Sequence, residues 1–403
     1  MSAQAPDLIS LLRQGLSRLG DARAGFAVSG GGDSMALLHL GAQAGIAAEV
    51  ATVDHGLRPE AADEAALVQA RAAALGLRHE TLVWAGRAAQ GNLPDAARLA
   101  RRRLLADWAR RRGLGAVVLA HTLDDVAETF LMRLARGAGV DGLAAMAPAF
   151  TADGVLFLRP LLAVPRQTLR DWLAGQGLGW VEDPTNRDPA YDRTRARAAL
   201  TALAPLGLGT GRLAEVAGHM AQARVALEAA TEALLRACAH PVGDGLALTV
   251  ALEPLRAAPQ ELQRRALVAM LDWLCPRPYA PRGEQVARLA ARVLAGQPAQ
   301  LAGARFFLAR GQTWACREAK GDVSGWQVMP GQGELQLRAL GAEGLAQCPD
   351  WRATGLPRAV LLTAPGLWRG PALIAAPHAG RPAGFRVMRP GAQTVLARRF
   401  LSH

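Results

Sequence analysis

The stretch Gly25-Phe26-Ala27-Val28-Ser29-Gly30-Gly31-Gly32-Asp33-Ser34-Met35-Ala36-Leu37-Leu38 decides the reading of this chain. An apolar run at 25–28 predicts a strand, and the pattern from Ser34 to Gln43 predicts a helix. Three glycines between them let backbone N–H groups converge on an anion, and the helix N-terminus behind adds a positive partial charge. The turn is therefore a phosphate cradle. Two familiar phosphate loops do not fit it. A Walker A loop needs Gly-Lys-Ser/Thr, and Lys320 is the only lysine in the chain. A dinucleotide fingerprint needs a third glycine where Met35 stands, and that bulk opposes close helix packing.

The remaining pattern, S-G-G-x-D-S, resembles the pyrophosphate loop of the N-type ATP pyrophosphatases, which split ATP between its α and β phosphates. The plain alternative is a glycine-rich strand-to-helix turn with no ligand. Three glycines flanked by serines carry a large cost in backbone entropy for a mere turn.

Working outward, strands are expected at 25–28, 49–53, 79–83, 116–120 and 155–158, with helices at 34–43, 60–75, 94–112 and 123–134. Such alternation predicts an α/β fold, a Rossmann-like parallel sheet covered by helices, with ligands at the carboxyl ends of its strands. The polar motifs fall at those ends. The second strand closes in Val53-Asp54-His55-Gly56-Leu57-Arg58, and Asp54 lies about 20 residues past Asp33, where a dinucleotide fold places a ribose-binding acid. The fourth strand runs into Ala120-His121-Thr122-Leu123-Asp124-Asp125-Val126-Ala127-Glu128-Thr129.

Thr122 and Asp125 have the spacing of a helix cap, which gives that segment a purely structural reading. Asp124 and Glu128, however, are four apart on one helix face, with His121 just before it. Acids gathered near a phosphate loop repel a nucleotide unless a cation intervenes, which points to Mg²⁺ between carboxylates and phosphates, with Asp33 able to join. Arginines flank this core. Arg98, Arg101 and Arg102 share a helix with Arg110, Arg111 and Arg112, and Arg193, Arg195 and Arg197 follow the polar segment 182–188. The later helix triplet reads as a solvated face, whereas the trailing arginines are suited to phosphates.

The 403 residues predict two or three domains, and 51% apolar content suffices for real cores. With 46 basic against 34 acidic side chains the net charge is +12, an excess that favours a polyanionic partner, most often nucleic acid. The N-terminus shows no signal-like segment and no apolar run is long enough to span a bilayer, so a cytoplasmic location and no membrane contact are expected. Cys238, Cys275, Cys316 and Cys348 are scattered without metal-ligand spacing, so neither zinc nor a disulfide framework is expected.

The ordered set S-G-G-G-D-S, V-D-H-G-L-R, A-R-L-A-R-R, H-T-L-D-D-V-A-E-T, R-G-A-G-V-D-G-L, R-P-L-L and E-D-P-T-N, spanning about residues 20 to 200, resembles the tRNA(Ile)-lysidine synthase family. The resemblance implies that ATP adenylates the C2 oxygen of the wobble cytidine in a CAU-anticodon isoleucine tRNA and that the ε-amine of free L-lysine then displaces AMP. Carried over by position, Ser29, Gly30, Gly31, Gly32, Asp33 and Ser34 would hold ATP, with Asp33 and Asp125 toward Mg²⁺. Asp33, Asp54, Asp125 and Glu128 would form the catalytic acids, and Arg98, His121, Arg193, Arg195 and Arg197 would bind substrate. The family commonly reads Arg-Asn-Arg where this chain has Arg193-Thr194-Arg195, so the arginines persist but the asparagine contact does not.

The resemblance places a PP-loop domain at 1–200 and a mainly helical connector and tRNA-contacting domain at 201–320, where a long helix at 213–237 precedes short strands such as 246–250. A Gly/Pro-rich, short and divergent C-terminal region is expected at 321–403. Two alternatives stay open: a tRNA thiolase of the same superfamily, which would need a sulfur-transferring cysteine although none precedes Cys238, and a catalytically inert RNA-binding module that keeps the fold. An amidotransferase-type ligase would add a glutaminase domain, which is not recognisable here.

Overall fold

The computed structural model describes residues 7–54, 56, 61–84, 93–182, 192–277, 280–318, 323, 325–331 and 333–392. Two compact units divide the chain at Arg224/Val225.

In the first unit, helix α1 (Leu8–Gly15) starts at Asp7, whose carboxylate accepts the Ile9 and Ser10 N–H groups. There follow β1 (Ala24–Ala27), α2 (Gly32–Gln43), β2 (Ala48–Asp54), α3 (Ala61–Ala74), β3 (Arg78–Val83), α4 (Leu93–Arg112), β4 (Ala116–Leu119) and α5 (Leu123–Leu134). A single turn α6 (Val140–Leu143) leads to the hairpin β5 (Ala149–Ala152) and β6 (Val155–Leu158), then α7 (Arg166–Gly175), α8 (Asp192–Leu203) and α9 (Thr210–Cys238). The unit boundary falls inside α9.

The sheet order is β3-β2-β1-β4-β6-β5, with every pair parallel except the β5–β6 hairpin. β1 is buried along its whole length, as a strand covered on both faces must be, which explains its apolar sequence. On one face Phe26 and Val28 pack with Met35, Leu37, Leu38 and Leu40 of α2 and with Leu169 and Leu173 of α7. On the other, Ala27, Val117 and Phe157 pack with Leu105 and Trp108 of α4. Strand order reverses direction at β1/β4, and the crevice outside their carboxyl ends is where such sheets bind ligands. The expected sheet is thus observed, extended at its edge by the antiparallel β5.

The second unit carries β7 (Ala239–Val242), β8 (Ala247–Val250), α10 (Leu252–Ala257), α11 (Gln260–Leu274), α12 (Gly283–Leu294), β9 (Ala299–Leu301), β10 (Ala304–Ala309) and β11 (Gln312–Arg317). The antiparallel sheet β7-β8-β11-β10-β9 packs Leu248 and Phe306 against Leu267, Met270 and Leu271 of α11. Further along, β12 (Gln327–Met329), β13 (Gln336–Ala339), α13 (Gly341–Ala346), α14 (Arg358–Leu361), β14 (Pro365–Arg369), β15 (Ala372–Ala375) and β16 (Arg386–Met388) form two small sheets around Trp326, Leu345 and Trp368. Among the described residues no helix is long and apolar enough to cross a membrane.

Candidate active site

The carboxyl ends of β1 and β4 hold most of the residues singled out in the sequence. After β1 the chain turns at Gly30, whose φ of +87° lies in the left-handed region, and Gly30 O accepts the Val181 N–H at 3.0 Å. Helix α2 begins behind a Gly31 cap that has no side chain to offer, so its first-turn N–H groups are left for an external anion. Ser34 Oγ donates to Gly31 O at 2.9 Å and accepts from Ser29 N–H at 3.1 Å, with Ser29 Oγ 3.3 Å away. The two serines therefore brace the loop in shape, and the backbone forms the cradle.

Beside the loop, Arg166 at the start of α7 gathers three carboxylates. Its Nε donates to Asp33 Oδ2 at 2.9 Å and its Nη1 to Glu128 Oε1 at 2.8 Å, while Nη2 lies 3.3 Å from Asp125 Oδ1. Its backbone N–H donates to Asp124 Oδ2 at 2.7 Å, so the shared face of Asp124 and Glu128 is the one turned to α7. Asp125 Oδ2 accepts both the N–H and the hydroxyl of Thr122 at 2.9 Å, so the capping spacing and the cluster are one feature. Glu128 is almost fully buried, and its Oε2, like Asp33 Oδ1, is buried without a hydrogen-bond partner.

Burial lifts the Asp33 carboxyl above its ordinary 3.8, an effect that Arg166 offsets only in part. Burial acts the same way on Asp125, but Arg166 and the Thr122 N–H outweigh it and hold that carboxyl below 3.8. Burial also opposes the charge of Arg166, yet Glu128, Asp125 and Asp33 outweigh it and raise the guanidinium above its ordinary 12.5. Adjacent carboxylates thus have environments that push them apart.

His121 precedes α5 and is held far below its ordinary 6.5, at about 3, by burial, with Arg159 adding to this against the pull of Asp125. Arg159 Nε–H donates to His121 Nδ1 at 3.1 Å, which leaves the imidazole proton on Nε2. The ring is a neutral donor at that atom. Arg159 is itself brought down to about 10 by burial and then Arg133, while its guanidinium lies over the Phe150 ring at 4.3 Å. Arg101 is depressed first by burial and then by Arg193 and Arg98, and of these cations Arg101 and Arg193 also act on His121. Arg98 is exposed on α4, and Arg193 Nε is buried without a partner.

The remaining residues divide. Arg195 is exposed and pairs with Asp192, whereas Arg197 Nε donates to Glu128 Oε1 at 2.8 Å and joins the acid cluster. Asp54 ends β2 with Oδ1 accepting the Gly56 N–H at 2.8 Å, a local contact apart from the Arg166 cluster. His55, Leu57, Arg58 and residues 183–191 of the quoted motifs lie outside the described residues.

Sequence reasoning missed Arg166, and it quoted Arg159 only within R-P-L-L. The one available signal was an arginine just after Pro165 where a helix start favours acids.

A family model described as a PP-loop domain matches residues 6–204. A curated tRNA(Ile)-lysidine synthase of Ruegeria pomeroyi is 46% identical over 417 residues, covering 99% of each chain. One of Zymomonas mobilis is 38% identical over 282 residues, covering 69% of this chain and 83% of its own. Among solved structures, the U34-tRNA thiolase NcsA of Methanococcus maripaludis aligns at 17% identity and a TM-score of 0.46, covering 54% of this chain and 79% of its own. The full-length identity shows that the chain belongs to the tRNA(Ile)-lysidine synthase family.

Proposed function

We propose that the protein joins free lysine to C2 of the wobble cytidine in a CAU-anticodon isoleucine tRNA, consuming ATP to AMP and pyrophosphate. The observation that carries this reading is relatedness to a curated lysidine synthase along 99% of both chains. In the first step the C2 oxygen attacks the α-phosphorus of ATP and pyrophosphate leaves. In the second, the ε-amine adds to C2 and loses a proton, and AMP departs with the former C2 oxygen. Activation is needed because an amide-like oxygen is a poor leaving group.

In this reading the N–H groups of the 29–34 loop and the start of α2 hold the leaving pyrophosphate. The orphaned Asp33 Oδ1 suits a hard cation, whereas both Asp125 oxygens are already engaged, so Asp33 is the residue that would hold Mg²⁺. Bound there, the ion would neutralise charge on the phosphates. Glu128 Oε2 and Asp54 are acceptors for the ammonium groups of lysine, and Asp125 orders Thr122 and Arg166 beside Glu128. His121 Nε2–H is a neutral donor for a substrate oxygen. Arg98, Arg193 and Arg195 meet tRNA phosphates, while Arg197 acts through Glu128.

A thiolase finds no support in the cysteines. All four lie beyond residue 224, and burial raises each thiol above its ordinary 9.0, Cys238 to about 11 and Cys316 to about 12. The test is arrest of the reaction. With ATP and CAU tRNA but no lysine, an adenylated cytidine should accumulate with one pyrophosphate released per tRNA, and lysine should discharge it. Discharge without lysine, or no adenylation, contradicts the reading.

A further inference from the structure

Arg166 is 15% exposed, bonds to carboxylates on two elements, and occupies the first position of α7. A cation there opposes the helix dipole, and α7 carries no acid in its first turn to compensate. Its place is therefore set by what it faces. Without it, Asp33 on α2 and Asp125 and Glu128 on α5 would be anions gathered in one low-dielectric crevice, held by no shared partner in these contacts.

We propose that Arg166 is a positioning residue, an internal counter-ion that holds Asp33 and the α5 acids in one constellation and competes with ligand cations for them. Resting on the function proposed above, this deepens the reading of the same site. The two orphaned oxygens, Asp33 Oδ1 and Glu128 Oε2, are the buried, unpartnered halves of carboxylates whose other oxygens Arg166 occupies. A cation approaching them meets acids already fixed in direction, and it also meets the positive charge of Arg166. The guanidinium thus improves geometry at the expense of affinity. The planar fork matters, since a single ammonium cannot bond Asp33 and Glu128 through separate N–H groups set by one rigid plane.

The two contributions separate in two variants. Arg166→Gln removes the charge, so Mn²⁺ added alone to the full-length protein, followed by loss of its free paramagnetic signal, should bind at least about tenfold more tightly, the lower bound set by a unit charge about 5 Å from a divalent ion even in a water-like dielectric. Adenylation of cytidine should fall at the same time by about 100-fold. Arg166→Lys keeps the charge and loses the fork, so Mn²⁺ affinity should stay within about twofold of the parent while adenylation still falls at least about tenfold. Opposite movement of affinity and rate in the glutamine variant is a signature that loss of structure does not produce. Unchanged or weaker Mn²⁺ binding in Arg166→Gln, or full adenylation in Arg166→Lys, would overturn the proposal. Should the glutamine variant not fold, the lysine variant decides alone. The Mn²⁺ readout needs neither tRNA nor lysine, so failure of the proposed reaction in the parent protein is told apart from failure of this inference.

Discussion

Asp33 sits where burial opposes its charge and the guanidinium of Arg166, with a smaller contribution from Arg170, supports it. Its Oδ1 is buried without a hydrogen-bond partner, in the first turn of a helix that has no side-chain cap. Asp33→Asn keeps the shape and deletes the charge, so the folded protein should survive while pyrophosphate release falls by about 100-fold, the scale of one preorganised polar contact. Release at the parental rate would remove Asp33 from the chemistry. The acids of this cluster were legible because loop and helix fix them locally: Asp33 follows three glycines, and Asp124, Asp125 and Glu128 share a first turn and the next. Arg166 was not legible, since its bond to Asp33 spans 133 positions and only the packing of α7 beside α2 creates it. His121 was legible as a polar residue at a strand end, but its neutrality was not, because burial and Arg159 decide that.

Elements are tied to one another by a further buried acid, outside the Arg166 cluster. Glu49, on β2, accepts from Arg23 before β1 at 2.6 Å and from Arg112 at the end of α4 at 2.7 Å. The hydrogen bond and charge of Arg112 outweigh burial and hold its carboxyl below the ordinary 4.5. A depressed folded pKa means the contribution is complete above 4.5 and is lost as the pH falls through the lower folded value. Glu49→Gln should therefore lose about 1–3 kcal/mol at pH 7 by urea unfolding, with the gap from the parent narrowing as the pH falls below the ordinary carboxylate range. A gap that does not vary with pH would mean that shape, not charge, is what β2 needs there. The strands and helices of the main sheet were readable because buried parallel strands are continuous apolar runs and the helices keep their amphipathic spacing. Of the β5–β6 hairpin, β6 was expected at 155–158 but β5 was passed over, although Asp153 and Gly154 both take positive φ, the turn that Asp-Gly favours.

At the scale of the whole chain, the second unit was the least readable part. Its hairpin turns Ala302-Gly303 and Arg310-Gly311 take positive φ at both residues, and Ala302 and Arg310 stand where turn chemistry favours Asn, Asp or Gly, so each turn is signalled by one glycine instead of an Asn-Gly or Asp-Gly pair. Among the described residues, the Gly/Pro-rich stretch expected beyond 320 carries five strands and two α-helices around the buried Trp326 and Trp368, built from short apolar runs such as 359–362 and 372–376 set between turns. The first unit, in contrast, displays its chemistry in sequence, and the full-length family match extends that chemistry over the chain. The central claim is that lysine nitrogen replaces the C2 oxygen of one cytidine. The direct measurement is mass analysis of anticodon nucleosides after incubation of the full-length protein with ATP, CAU-anticodon tRNA and lysine labelled at its ε-nitrogen. The account predicts one cytidine heavier by labelled lysine minus water, with the label retained and one AMP formed for each. Unmodified cytidine, sulfur in place of oxygen, or equal reaction with ammonia would contradict it.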